Sequence, residues 1–233
     1  MNLAIVGYGK MGRLIEELAP EYDFQVALKL DEFNNAQYAG ITSGNFSGID
    51  MAVEFSTPET VVGNIERIAA LGVNMVVGAT GWHGSLDRVK SVVERHGVGL
   101  VWSPNFSVGM NVFTRLVSEA ARLLACEEEY GAWAWEIHHT TKKDAPSGTL
   151  LKLVNEMKKA GYARPVDAAA NRAGSHPGTH EIGFDSAADT ITLRHTARSR
   201  EGFARGALKA ARWVAGKKGC YEFSEVLFGA LGG

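Results

Sequence analysis

The apolar run Leu3-Ala-Ile-Val6 passes directly into Gly7-Tyr-Gly-Lys-Met-Gly12, and a helix-like segment follows over Arg13–Ala19. Few sequence features restrict a fold so sharply. A G-x-G-x-x-G turn between a strand and a helix fits a parallel α/β sheet that binds a dinucleotide. Gly7 would allow the tight turn, Gly9 the close approach of a pyrophosphate, and Gly12 close packing of helix on strand. The helix start, with Tyr8, Lys10 and Met11 in the loop, adds N–H groups and a dipole that favour an anion.

The next hundred residues keep the same rhythm. Candidate strands lie at Phe24–Leu30, Met51–Phe55, Asn74–Val77 and Val98–Trp102, with amphipathic stretches at Glu59–Leu71 and Ser85–His96 between them. Alternation of this kind implies a parallel sheet covered by helices on both faces. Asp31 closes the second strand about twenty residues after the glycine loop, where an acidic side chain accepts from ribose hydroxyls. Glu32 follows and no arginine stands nearby, which favours NADH over NADPH; Lys29 and Lys10 remain as cations able to take a 2′-phosphate. Three further strand ends carry small residues: Phe55-Ser-Thr-Pro58, Gly78-Ala-Thr-Gly81 and Ser103-Pro-Asn-Phe106. Because ligands of open α/β sheets bind at the carboxyl ends of strands, Phe55, Gly78, Ala79, Thr80, Ser103, Pro104, Asn105 and Phe106 are candidate cofactor contacts.

After Pro104 the pattern changes. A long apolar-periodic helix is predicted over Val108–Leu124, then an alternating strand at Ala132–Ile137 with Trp133 and Trp135 on one face. A helix from about Ser147 to Lys159 follows; Tyr162–Pro177 reads as a loop, and Thr179–Asp185 and Thr190–Ala197 as strands. Gly202–Ala215 reads as a helix and Cys220–Gly229 as a short strand or helix. The expected architecture is a Rossmann-like α/β cofactor domain, residues 1–106 with 205–233, around an α+β domain of substrate binding and oligomerisation, residues 107–204, with antiparallel strands.

The chemistry concentrates in Glu136-Ile-His-His-Thr-Thr-Lys-Lys-Asp-Ala-Pro-Ser-Gly-Thr149. Two imidazoles and two ammonium groups precede a helix start at which Ser147 is a natural N-cap. The free N–H groups of Gly148 and Thr149 suit a carboxylate, and the missing side chain of Gly148 lets it come close. Strand alternation would send His138 and His139 to opposite faces. A net charge of −2 gives no electrostatic case for nucleic acid, and no run of about 18 apolar residues spans a membrane. No basic and hydrophobic leader is visible, and Cys126 and Cys220 read as reduced thiols of a cytoplasmic protein. His83, His96, His176, His180 and His195 lack metal-ligand spacing, so no metal is expected.

The string H-H-x-x-K-x-D-A-P-S-G-T resembles the signature of the dihydrodipicolinate (4-hydroxy-tetrahydrodipicolinate) reductase family. Asn105-Phe-Ser-Val-Gly-Met-Asn111, Gly78–Gly81, Phe55–Pro58 and the stretch from Ser199-Arg200 through Phe203-Ala204 to Gly206-Ala207 are similar to further family segments. Gly7–Gly12 is one residue shorter than the family's usual G-x-x-G-x-M-G. The resemblance implies NAD(P)H-dependent reduction of a cyclic dicarboxylic imine in the diaminopimelate route of lysine biosynthesis, by a homotetramer. On it, His138 becomes the proton donor or acceptor, Lys142 a proton donor or charge stabiliser, and His139, Gly148 and Thr149 substrate contacts. An L-aspartate dehydrogenase would share the βαβ start without the K-x-D-A-P-S-G-T string. A silent NAD-binding sensor would need neither His138 nor Lys142.

Overall fold

The computed structural model describes residues 1–229. It divides into two compact units, Met1–Val108 with Glu201–Gly233, and Gly109–Arg200.

In the first unit, β1 (Asn2–Val6), β2 (Gln25–Leu30), β3 (Met51–Glu54), β4 (Asn74–Val77), β5 (Gly99–Trp102) and β10 (Gly219–Glu222) form one sheet in the order β10-β5-β4-β3-β1-β2. Every pairing in it is parallel. Side-chain alternation splits its strands between two cores. Ala4, Val6, Ala52, Met75, Val77 and Leu100 pack with α2 (Val61–Ala70) and α3 (Leu86–His96). Leu3, Ile5, Met51, Val53, Val76 and Val101 pack with α1 (Lys10–Leu18) and α6 (Glu201–Val214). Both faces are therefore dry, which is why these strands read as nearly continuous apolar runs. The chain runs outward from β1 to β2 and then returns to β3 on the other side of β1. That reversal is the switch point at which such sheets bind ligands.

Two details refine the sequence expectation here. Helix α1 begins at Lys10 rather than Arg13, with Gly9 as its N-cap, so the second glycine sits at the helix mouth. The tail read as a strand or a helix is both: β10 is followed at once by α7 (Phe223–Phe228), and residues 230–233 lie outside the described residues.

The second unit holds α4 (Val108–Leu123), β6 (Gly131–His138), α5 (Gly148–Lys159), β7 (Val166–Arg172), β8 (Thr179–Asp185) and β9 (Thr190–Thr196). Its sheet has the order β7-β6-β8-β9. Phe113 and Val117 of α4 and Leu150, Leu153 and Met157 of α5 bury against Ala134, Ile182 and Phe184, covering one face. The other face carries Trp133 and Trp135. The Trp133 ring lies so close over Gly183 that a Cβ there would sit 2.1 Å from it, and Trp135 Nε1 donates to Asn171 Oδ1 at 2.6 Å.

The stretch expected to be a loop at Tyr162–Pro177 contains β7, which pairs parallel with β6 from Ala132↔Val166 to His138↔Arg172. The sheet is thus mixed, not wholly antiparallel. Its edge strand, Val166-Asp-Ala-Ala-Ala-Asn-Arg172, is largely exposed and bonded on one side only. It needs no apolar alternation, so the period-2 signal that marks half-buried strands is missing. This miss matters, because the strand ends on Arg172.

Candidate active site

At the carboxyl end of β1 the glycines take the conformations their spacing implied. Gly7 turns with φ +97°, and a Cβ on it would lie 2.4 Å from the Phe55 carbonyl carbon. Gly12 would clash with the Gly7 oxygen at 2.7 Å, so helix and strand touch backbone to backbone. Gly9, by contrast, has nothing within 4 Å, which leaves open space at the start of α1 for a phosphate group. These residues fit a dinucleotide.

Their neighbours divide into those that face open space and those that hold the loops. Lys10 and Thr80 are exposed, Asp31 is half-buried, and Met11 packs against the α1 core. Tyr8 donates its hydroxyl to Glu16, which also pairs with Lys29 at 3.0 Å, so Lys29 is committed within this cluster. Asp31 Oδ1 accepts from the Phe33 and Asn34 amides at 2.9 and 3.0 Å, closing a turn that leaves Oδ2 for a ligand. Phe55 fills the space a Gly78 side chain would need, with its ring 2.2 Å from the Cβ position, and stands 6.3 Å from the Phe106 ring. Ala79 is buried and its carbonyl accepts from Trp82 Nε1 at 2.8 Å. Ser103 and Asn105 bond one another, Oγ to carbonyl at 2.8 Å, while Pro104 between them is exposed. Ser103, Ala79 and Phe106 therefore shape the strand ends from beneath.

In the second unit a carboxylate that sequence reasoning gave no role stands at the centre. Glu136 is fully buried on β6. Its Oε1 accepts from the Ser147 amide at 2.8 Å and from Arg172 Nη2 at 2.9 Å. Its Oε2 accepts from the Ser147 hydroxyl and lies 3.3 Å from His180 Nε2 and 3.7 Å from His138 Nδ1. The sheet explains the meeting. Glu136 and His138 are two residues apart on β6 and share a face; register sets His180 opposite Glu136 and Arg172 opposite His138. The alternation that separated His138 from His139 could have revealed Glu136, but Arg172 was hidden with β7. His180, which the sequence left without metal-ligand spacing, belongs to the cluster.

Burial pushes the His138 imidazole below its usual proton affinity, with Glu136 opposing the shift, and drives His180 down to about 4. Burial thus favours the neutral form of both rings, whose centroids are 5.0 Å apart. Burial would raise Glu136, but the hydrogen bonds from Ser147 and Arg172 outweigh it and hold the carboxyl ionised, below the ordinary range. Glu136, His138 and His180 bring three ligand-type atoms within 4.8 Å of one another, a grouping that linear spacing concealed. The carboxylate oxygens are already used by Ser147 and Arg172.

The loop after β6 presents the rest. Lys142 Nζ contacts both oxygens of Asp144 at 2.7 and 2.9 Å. Asp144 Oδ2 also accepts from the Gly148 amide at 3.4 Å, at the first residue of α5. Ser147 caps that helix through Leu150 N at 3.1 Å, as its position predicted, while Gly148 faces open space and Thr149 is half-buried. His139 does not join the cluster; its Nδ1 lies 2.7 Å from Thr141 Oγ1. Gly178, at φ +141°, leaves the edge of His138 uncovered, since a Cβ there would stand 3.0 Å from Nε2.

Comparison with known proteins agrees over the whole length. The family "Dihydrodipicolinate reductase, N-terminus" matches residues 1–106, and "Dihydrodipicolinate reductase, C-terminus" matches residues 109–227. A 4-hydroxy-tetrahydrodipicolinate reductase of Christiangramia forsetii is 33% identical over 239 residues, covering 97% of this chain and 98% of the relative. One from Ralstonia nicotianae is 32% identical over 266 residues, covering 97% and 99%. Among solved structures, a dipicolinate-bound dihydrodipicolinate reductase from Paenisporosarcina sp. TG-14 shares the fold with TM-score 0.78 at 18% identity, over 95% of this chain and 97% of that one. An amine dehydrogenase from Mycobacterium smegmatis is similar in fold at TM-score 0.63 and 9% identity, over 97% and 95%. With both of its units matched in order, the chain belongs to the dihydrodipicolinate reductase family.

Proposed function

We propose that His138 and Lys142 manage the proton in the reaction of this family, the NAD(P)H-dependent reduction of 4-hydroxy-tetrahydrodipicolinate to tetrahydrodipicolinate in the diaminopimelate route to lysine. The chain is an oxidoreductase of that family. Residues 1–106 with 205–233 are assigned to the cofactor and residues 107–204 to the substrate. One observation carries the substrate assignment: the Lys142 ammonium and the Gly148 amide converge on the carboxylate of Asp144. That side chain occupies a position a substrate carboxylate would take, beside the N-terminus of α5. Gly148 and Thr149 would hold the substrate there, with His139 contributing from the adjoining turn.

The bound reduced nicotinamide supplies the hydride. Negative charge then develops toward the ring nitrogen of the imine, and a positioned acid speeds the protonation that must follow. His138 suits that task because its Nε2 edge is left open beside Gly178 and Glu136, 3.7 Å from Nδ1, favours its protonated form, while Lys142 places positive charge beside the developing anion. The deciding experiment generates the unstable substrate with its synthase and follows NADH and NADPH oxidation separately. Synthase-dependent oxidation supports the reading; cofactor binding without turnover would replace it with a sensor.

Asp31 favours NADH, because Oδ2 remains for a ribose hydroxyl and Lys29 is held by Glu16. Asp31→Ala is expected to weaken NADH binding about tenfold, the value of a hydrogen bond to a charged group, while affecting NADPH less. Fluorescence titration with both cofactors measures this, and an unchanged NADH affinity removes Asp31 from the ribose site. We also place the protein in the cytoplasm, where its free cysteines stay reduced. Among the described residues no helix is long and apolar enough to cross a membrane. The uncovered sheet face with Trp133 and Trp135 is assigned to homotetramer assembly, which light scattering of the purified protein would test.

A further inference from the structure

We propose that Glu136 and Arg172 are positioning residues for the reduction, a single buried ion pair that holds the His138 ring, the Lys142 loop and the Ser147–Gly148 helix start in one arrangement. The proposal rests on the functional reading above and extends it to groups that do not touch the reacting atoms.

Three structures meet at this pair. On one side, Glu136 receives both the amide and the hydroxyl of Ser147, which fixes the first turn of α5 against β6. On another, the guanidinium of Arg172 bonds Glu136 Oε1 at 2.9 Å through Nη2, the Lys142 carbonyl at 3.3 Å through Nε, and the Asp144 carbonyl. Backbone bonds from Ala173 to the His138 carbonyl at 2.9 Å and from Thr140 to Gly174 at 3.1 Å lace the same loop to the end of β7. The loop bearing Lys142 thus hangs from the residue that also neutralises Glu136. A planar guanidinium with several donors in fixed directions can serve three acceptors at once; a lysine could not.

The third function is electrostatic. His138 Nδ1 is buried, has no hydrogen-bond partner, and faces Glu136 Oε2. The other groups around that ring are Lys142 and Asp144 in the loop, Arg172 on β7 and His180 on β8, with His195 of β9 behind His180. Burial, with the Lys142 and Arg172 cations, opposes protonation of His138; Glu136 and, more weakly, Asp144 favour it. When His138 carries the proton it is to deliver, Glu136 is the buried counter-charge, much as a carboxylate steadies an imidazolium in hydrolytic triads.

The test uses the full-length enzyme in the synthase-coupled assay, with Glu136→Gln and Arg172→Gln. Glu136→Gln keeps the shape and removes the charge. Its kcat/KM is expected to fall on the order of 10²-fold, with the alkaline limb of the pH profile displaced to lower pH, because His138 loses the charge that helps it hold a proton. Arg172→Gln removes the loop anchor. Its kcat is expected to fall at least tenfold, to recover partly with millimolar guanidinium ion, and to leave NADH affinity unchanged, since the phosphate loop belongs to the other unit. A drop in kcat/KM smaller than about threefold in both variants, or an unmoved pH limb together with no guanidinium rescue, overturns the proposal. If Glu136→Gln does not fold, the rescue of Arg172→Gln decides alone. A wild-type enzyme that oxidises no NAD(P)H would instead refute the functional reading, so the two failures remain distinct.

Discussion

Lys142→Ala is expected to lower turnover by about 10²–10⁴-fold, the range over which a single positioned proton donor contributes. The side chain stands in the turn after β6, three-quarters buried, with its ammonium on Asp144 and its backbone carbonyl held by Arg172. Truncation keeps the backbone anchor and removes only the cation, so the loop should retain its course. A surface-linked ion pair of this kind adds little stability, and the melting temperature should stay close to that of the wild type. NADH binding should not change. The KM for substrate should rise together with the fall in kcat, because the same ammonium would meet a substrate carboxylate where it now meets Asp144. Steady-state kinetics with enzymatically generated substrate would show both effects. Turnover within a few-fold of wild type would leave Lys142 as a solvated loop lysine and transfer the proton to His138 alone.

The legible and hidden parts of this site differ in a physically consistent way. Roles imposed by backbone geometry were readable, because only one or two residue types satisfy them. Gly7 had to turn, Gly12 had to pack and Ser147 had to cap, and all three do so. The parallel sheet was equally plain, since strands buried on two faces must be apolar throughout. What the sequence concealed depends on register. Arg172 meets Glu136 only because β7 pairs with β6 in parallel, and an exposed alanine-rich edge strand carries no periodic mark. His180 reaches the cluster through β8 from more than forty positions downstream of Glu136. Glu136 itself opened the recognised string, yet a glutamate on an alternating strand reads as solvent-facing until a partner guanidinium is known to await it. Phe106 and Ser103, candidate cofactor contacts from their place at a strand end, are both buried.

Glu54→Gln is expected to remove a loss of stability that wild type suffers as pH rises from about 4.5 to about 7. Glu54 is the last residue of β3 and fully buried; Oε1 accepts from the Ser56 amide at 3.3 Å, the Ser56 hydroxyl and Asn64 Nδ2 at 3.0 Å, while Oε2 is buried with no partner. Burial pushes its pKa from 4.5 up to about 7 against those hydrogen bonds. The folded state therefore prefers the neutral acid, so this stabilisation is complete below about 4.5 and is lost as pH rises through 7. The gap corresponds to roughly 3 kcal/mol, a large share of an ordinary domain's stability. The histidines of the second unit act with the opposite sign. With His180 at about 4 in the fold against 6.5 when exposed, its contribution is present above 6.5 and disappears as pH falls toward 4. The two groups lie in different units and act in opposite directions over nearly the same pH range. Urea unfolding at pH 5.5, 7 and 8.5 separates them. Between pH 5.5 and 7 the variant should lack the loss that Glu54 imposes on wild type, and between 7 and 8.5 the two proteins should run nearly parallel. A glutamine variant with the wild-type slope between pH 5.5 and 7 would mean that Glu54 is already ionised in the fold and that water or a rearranged Asn64 meets its second oxygen.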